Sequence, residues 1–160
     1  MLPICLVPRM MAVHGRIKGQ LGSACHKSEW KLTMKPITYE SASDDVKAVF
    51  DDIKMARNVP DVNNFWKYLA NEPRMLRHVW ESLKEIMGQG HLDPLTKELI
   101  YVAVSITNNC EYCMASHGAG AKAKGASEEM LNELYAVVGL ANMTNRLANA
   151  YKVPVDDAFK

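Results

Sequence analysis

From Pro36 to the C-terminus, apolar side chains recur at the i, i+3, i+4 and i+7 positions that line one face of an α-helix. That interval leaves little besides a helical architecture. Period-two alternation is missing, and so are the Asn-Gly and Asp-Gly pairs of tight hairpins. Val46, Val49, Phe50 and Ile53 make the first stripe, after a capping Ser43 and two acids, Asp44 and Asp45, that suit the positive end of the helix dipole. Residues 58–60 break that run. Phe65, Trp66 and Leu69 mark a short helix across 62–70. Pro73 suits the first position of a third helix with the stripe Leu76, Val79, Trp80, Leu83, Ile86 and Met87, ended by Gly88 and Gly90. Asp93 and Pro94 open a fourth, with Leu95, Leu99, Val102, Ala103 and Ile106 on one side and a break at 107–109. Asn108 or Asn109 can cap a fifth helix over 110–124, stopped by Gly125. Ser127 starts a sixth through Met130, Leu131, Leu134, Tyr135 and Val138, and a seventh is predicted over 142–151, ahead of Pro154. The predicted fold is a single all-α domain of six or seven helices with short connections.

The charge is uneven. Residues 1–34 hold Arg9, Arg16, Lys18, Lys27 and Lys31 against one acid, Glu29. Removing these from totals of 19 bases and 18 acids leaves 14 and 17, a mildly acidic body with no Lys/Arg stripe. Nucleic acid is not the expected partner. Residues 1–34 read as an extension of one of three kinds: non-native sequence upstream of a start at Met34, a poorly ordered native segment, or a targeting segment. The domain is expected over 35–160. No run approaches the roughly 20 apolar residues that cross a bilayer, so no membrane partner is expected and the location is expected to be cytoplasmic.

Four cysteines are too few to staple a secreted chain of 160 residues. Cys5 and Cys25 are expected to have no function, and His14 and His26 lie in the same extension. Cys110 and Cys113 stand at C-x-x-C spacing, which points to redox chemistry or metal binding. At about 100° per residue, Cys113 falls about 300° from Cys110 and His117 about 340°. The three side chains therefore share one ridge, with Cys113 and His117 at the i, i+4 spacing where helical side chains meet. An imidazole there can take the thiol proton. The helix N-terminus lowers the thiol pKa from its usual value near ~8.5. Cys113, beside the imidazole, is the candidate nucleophile for a peroxide, and Cys110 can resolve the resulting sulfenic acid. Glu98 sits beside the apolar stripe of the preceding helix, where a carboxylate needs a partner. If the two helices form a hairpin, His117 can be that partner. Zinc held by Cys110, Cys113, His117 and Glu98 is the rival, weakened because three of these lie along one helix.

The pattern Glu98, eleven residues, Cys110-x-x-Cys113, three residues, His117 resembles the alkyl hydroperoxidase D-like (AhpD-like) branch of the carboxymuconolactone decarboxylase superfamily. The resemblance covers about residues 36–158, with the Asp-Pro-Leu-Thr-Lys-Glu lead-in ending at Glu98 and the Gly125-Ala-Ser127 break after the site. It implies an all-α fold, homo-oligomers (often trimers or hexamers) and peroxide reduction through a cysteine pair restored by a dithiol or a protein reductant. Carried over by position, Cys113 resembles the peroxidatic cysteine, Cys110 the resolving one, His117 the general base and Glu98 its proton relay. One departure is Tyr112, where some members carry a histidine; tyrosine is no base near neutral pH. No phosphate-binding glycine fingerprint is present, and neither organic cofactor nor metal is expected. Two other readings stand beside the peroxidase: a decarboxylase or lactone-processing enzyme using His117 as base, and a non-catalytic redox adaptor.

His78 and His91 are expected at the surface. Phe65, Trp66, Trp80 and the methionines are expected in the core or a subunit interface. The small residues from Ala115 to Ala123, including Gly118 and Gly120, imply close helix packing.

Overall fold

A computed structural model describes residues 34–160. The expectations for residues 1–33, including Cys5, Cys25, His14 and His26, lie outside the described residues. Six α-helices follow in order: α1 (Asp44–Arg57), α2 (Asn64–Leu69), α3 (Pro73–Met87), α4 (Pro94–Thr107), α5 (Glu111–Ala123) and α6 (Glu128–Tyr151). A short 3-10 turn, Asp157–Phe159, follows, and no strand occurs among the described residues.

The first three helices share a core. Val46, Val49, Phe50 and Ile53 of α1 meet Val62, Trp66 and Ala70 around α2 and Leu76 and Trp80 of α3. Trp66 and Trp80 pack edge to face, with centroids 5.5 Å apart. This geometry suits the positive ring edge against a negative ring face. The Trp80 indole N–H donates to Asp52 at 2.7 Å, and Lys84 reaches the same oxygen at 2.6 Å, so α1 and α3 are tied by polar contacts as well.

The last three helices form a second layer in which α4 packs on both α5 and α6. Asp93 caps α4 by accepting from the Thr96 amide at 3.0 Å, and Ser127 caps α6 by accepting from Met130 at 3.2 Å. Lys97 of α4 donates to the carbonyls of Ile86 and Gly88. It thereby satisfies orphan acceptors at the end of α3 with a cation at its negative pole. A side chain at Gly88 would meet the Lys84 carbonyl at 2.7 Å, which is why glycine ends that helix.

Two boundaries differ from the periodicity. The predicted sixth and seventh helices are one continuous α6 of 24 residues. Neither asparagine caps α5: Asn108 ends α4, Asn109 adopts a left-handed φ of 55°, and Cys110 is the N-cap. Asparagine tolerates the left-handed region better than most residues, so the pair turns the chain instead of capping it.

Candidate active site

The turn between α4 and α5 sets the sulfurs at the positive end of a helix. Cys110 Sγ accepts a hydrogen bond from the Cys113 amide at 3.3 Å, in the manner of a side-chain N-cap. Cys110 and Cys113 are joined as a disulfide, with their Cα atoms 5.3 Å apart. Both are partly buried. The structure is thus the oxidised form of the pair, and reduction would leave two thiols in the first turn of α5, where the dipole favours a thiolate.

Glu98 lies on α4 and is 8% exposed. Its two oxygens have separate partners from α5 and the residue after it: His117 Nδ1 lies 2.7 Å from Oε2, and Lys124 Nζ donates to Oε1 at 2.9 Å. Burial alone would push the Glu98 carboxyl up, but the hydrogen bonds from Lys124 and His117, with their charges, outweigh it and hold it below its ordinary value. An ionised carboxylate only accepts, so Nδ1 carries the proton and Nε2 of a neutral His117 keeps its lone pair. Any proton exchange with sulfur or peroxide therefore passes through Nε2. The ring is fixed on a second side by Tyr101, stacked at 3.6 Å between centroids and 16° between planes.

Glycine is required at one point here. A Cβ on Gly120 would meet the Glu98 carboxylate at 3.0 Å, so α5 approaches α4 closely because that position has no side chain. At Gly118, by contrast, a Cβ would find open space, and nothing in the described residues explains that glycine.

A cavity of about 580 Å³ opens between the two layers. Cys113, His117 and Glu98 line it, together with Tyr101, Tyr112, Lys124 and the aromatic side chains Phe65, Trp66 and Trp80. Cys110 is not among its lining residues. Tyr112 accepts a hydrogen bond from the Phe65 amide at 3.2 Å, one of the unpaired donors at the start of α2. Tyr112 thus clamps one layer to the other.

All four predicted site residues are therefore in one place, on the hairpin of α4 and α5. Among the described residues no three His, Cys, Asp or Glu side chains are arranged to hold a metal ion, and the two sulfurs are bonded to each other. No described helix is long and apolar enough to cross a membrane. His78 and His91 are exposed. Trp66 and Trp80 are buried in the core, whereas Phe65 is half exposed and forms part of the cavity wall.

The model of the carboxymuconolactone decarboxylase family matches residues 73–156, more than half of the chain. The chain belongs to that family. As a carboxymuconolactone decarboxylase family member it is similar to the solved alkylhydroperoxidase AhpD core of Rhodospirillum rubrum, with a TM-score of 0.76. The two are 47% identical over 81% of this chain and 97% of that one, so the family fold here is AhpD-like. A Paracoccus denitrificans protein described as "Uncharacterized protein 4 in cox locus" is 40% identical over 50 residues, 31% of this chain. The match spans 45% of that relative's length.

Spacing found Cys110, Cys113, His117 and Glu98 but not Lys124 or Tyr101; the close packing expected at Gly120 is present, where a Cβ would meet Glu98 at 3.0 Å. The signal for Lys124 was present: on the same arithmetic it falls about 320° from Cys110, between Cys113 and His117 on the same ridge. A lysine near a helix end is usually a solvated side chain, so its type concealed its position.

Proposed function

We propose that this chain is a thiol-dependent peroxidase that reduces organic hydroperoxides through the Cys110–Cys113 pair and so serves antioxidant defence. The observation that carries the reading is the shared cavity: Cys113 and His117 line it, and His117 is held on Glu98 with Nε2 left for proton transfer. Family membership and the likeness to an alkylhydroperoxidase core support the same class of chemistry.

In the proposed cycle the Cys113 thiolate attacks one oxygen of ROOH. An S–O bond forms, the O–O bond breaks, and sulfur loses two electrons to oxygen. His117, protonated at Nε2, gives that proton to the leaving alkoxide, which departs as ROH. Glu98 stabilises the imidazolium. Cys110 gives its thiol proton to His117 Nε2 and attacks the sulfenic sulfur; the S–S bond forms, the S–O bond breaks, and the hydroxide takes that proton from His117 and leaves as water. An external dithiol or dithiol protein supplies two electrons and two protons and is itself oxidised to a disulfide. The working form is proposed to be a homo-oligomer, a trimer or hexamer, in the cytoplasm, acting without organic cofactor.

The test is peroxide consumption with excess dithiol, comparing the parent with Cys113→Ser, Cys110→Ser and His117→Gln. Cys113→Ser should abolish turnover. Cys110→Ser, assayed without added dithiol, should react with one equivalent of peroxide and stop as the sulfenic acid, where the parent ends as the disulfide. His117→Gln should slow turnover by about 10²-fold or more. Full activity in Cys113→Ser would overturn the assignment of roles. A parent inert toward every peroxide while its disulfide still cycles would favour the adaptor reading, and lactone decarboxylation surviving both serine variants would favour the decarboxylase.

A further inference from the structure

The cavity carries more positive charge than the proposed chemistry uses. Three cations line it: Arg57, Lys84 and Lys124. Lys84 is paired with Asp52 at 2.6 Å and Lys124 with Glu98 at 2.9 Å. Arg57, in the last turn of α1, has no carboxylate partner among the described residues. Its guanidinium instead lies over the rings of Trp66 and Trp80, 5.4 and 5.5 Å from their centroids. Partial desolvation against these rings pulls the guanidinium pKa down from its ordinary value, opposed by the charge of Glu98. Arginine nevertheless stays protonated, and Arg57 is exposed at the cavity edge, so its donor fork is open to a ligand there.

The rest of the wall is apolar: Phe65, Val79, Leu83 and Met87 stand with the two tryptophans. A single planar cation with a fork of donors matches a carboxylate bidentately. The walls around it match a hydrocarbon body.

We propose that the cavity binds hydroperoxides carrying a carboxylate on an apolar body, with Arg57 as the carboxylate-binding residue and the aromatic wall holding the chain. This substrate class rests on the peroxidase reading; the anion site itself does not. Binding at Arg57 would fix one end of the substrate within the same cavity as Cys113, so the peroxide group need only reach the sulfur along the apolar wall.

An acid and its ester test the proposal. Linoleic acid hydroperoxide and its methyl ester, below micellar concentration, are compared with dithiothreitol in excess. The acid should show kcat/KM about tenfold above the ester, the range of a charge-assisted hydrogen bond. Arg57→Gln should collapse that ratio toward one, chiefly through KM for the acid, and Arg57→Lys should restore part of it. A ratio of one in the parent, or the same ratio in Arg57→Gln, overturns the proposal even if peroxide turnover is fast. A second measurement is independent of activity. Decanoate and decanamide are titrated against the fluorescence of the parent, whose Trp66 and Trp80 border the site. Decanoate should bind about tenfold tighter than decanamide, and Arg57→Gln should erase the difference. Equal binding of the two sinks the anion site. A difference that depends on Arg57 in a parent without peroxide turnover keeps the anion site and removes the peroxidase.

Discussion

Lys124 and His117 together hold Glu98 ionised, and the ionised carboxylate fixes the tautomer of His117. A carboxylate this buried would tend toward neutrality if its two donors were removed. Because its carboxyl is held below the ordinary value, Glu98 contributes stability above the unfolded glutamate pKa, about 4.3. That contribution is lost as pH falls through the lowered folded value. Glu98→Gln should therefore flatten the rise of unfolding free energy with pH just below about 4.3, measured by urea midpoints across the window. An unchanged slope would mean that Glu98 is not ionised against its partners. Lys124→Met removes one donor but leaves His117; with Lys124 partly exposed, the expected cost is about 1 kcal/mol at neutral pH. The same variant should raise the acid limb of peroxide turnover, because the Glu98 carboxyl then titrates at higher pH. Cys113 and His117 were legible as a pair because the i, i+4 spacing sets both on one side of α5, and both line the cavity. Cys110 as an N-cap was not, since Asn and Ser are the usual caps and two asparagines stand just before it.

Helix identity was more legible than helix ends. The stripe of α1 was read to the residue and that of α3 in part: Ile53 and Leu76 are fully buried, because the apolar period reports burial, but Ile86 at the end of α3 is 66% exposed. Leu76→Ala should therefore cost about 2–5 kcal/mol, read from chemical unfolding, as its cavity has no solvent to refill it. The expected break in α6 failed for a clear reason. Gly139 costs at most about 1 kcal/mol inside a helix, and it brings no capping residue with it. Asn142 also donates to the Val138 carbonyl at 2.9 Å and to Thr107 of α4 at 3.0 Å, which holds the helix through the doubtful stretch. Between layers, Lys97 and Tyr112 supply polar links. Tyr112→Phe leaves the Phe65 amide at the start of α2 without its acceptor, and that amide should exchange with solvent markedly faster in the variant. Equal exchange would show that water replaces the hydroxyl without loss.

At the scale of the molecule, burial is unequal. Of the fourteen buried apolar side chains described, ten lie between Ala42 and Trp80, and only Val102, Ala121, Leu131 and Val138 belong to the second layer. Yet α6 is apolar on more than one side. Leu131 and Val138 face inward, while Leu140, Leu147 and Tyr151 fall about 160–200° around the helix from Leu131 and are 57%, 47% and 78% exposed. A helix apolar all round is normally covered all round. Periodicity could not separate the two faces, because apolar residues bound for a partner and apolar residues bound for the core look alike in sequence. The outer face of α6 is thus where the proposed homo-oligomer should close. Leu140→Glu with Leu147→Glu would bury two charges in such an interface, while on a free surface both would be solvated. Sedimentation of the double variant should show protomers where the parent shows a larger species, with helical content retained. A parent that sediments as a protomer at working concentration would remove the oligomer and leave this face without an explanation.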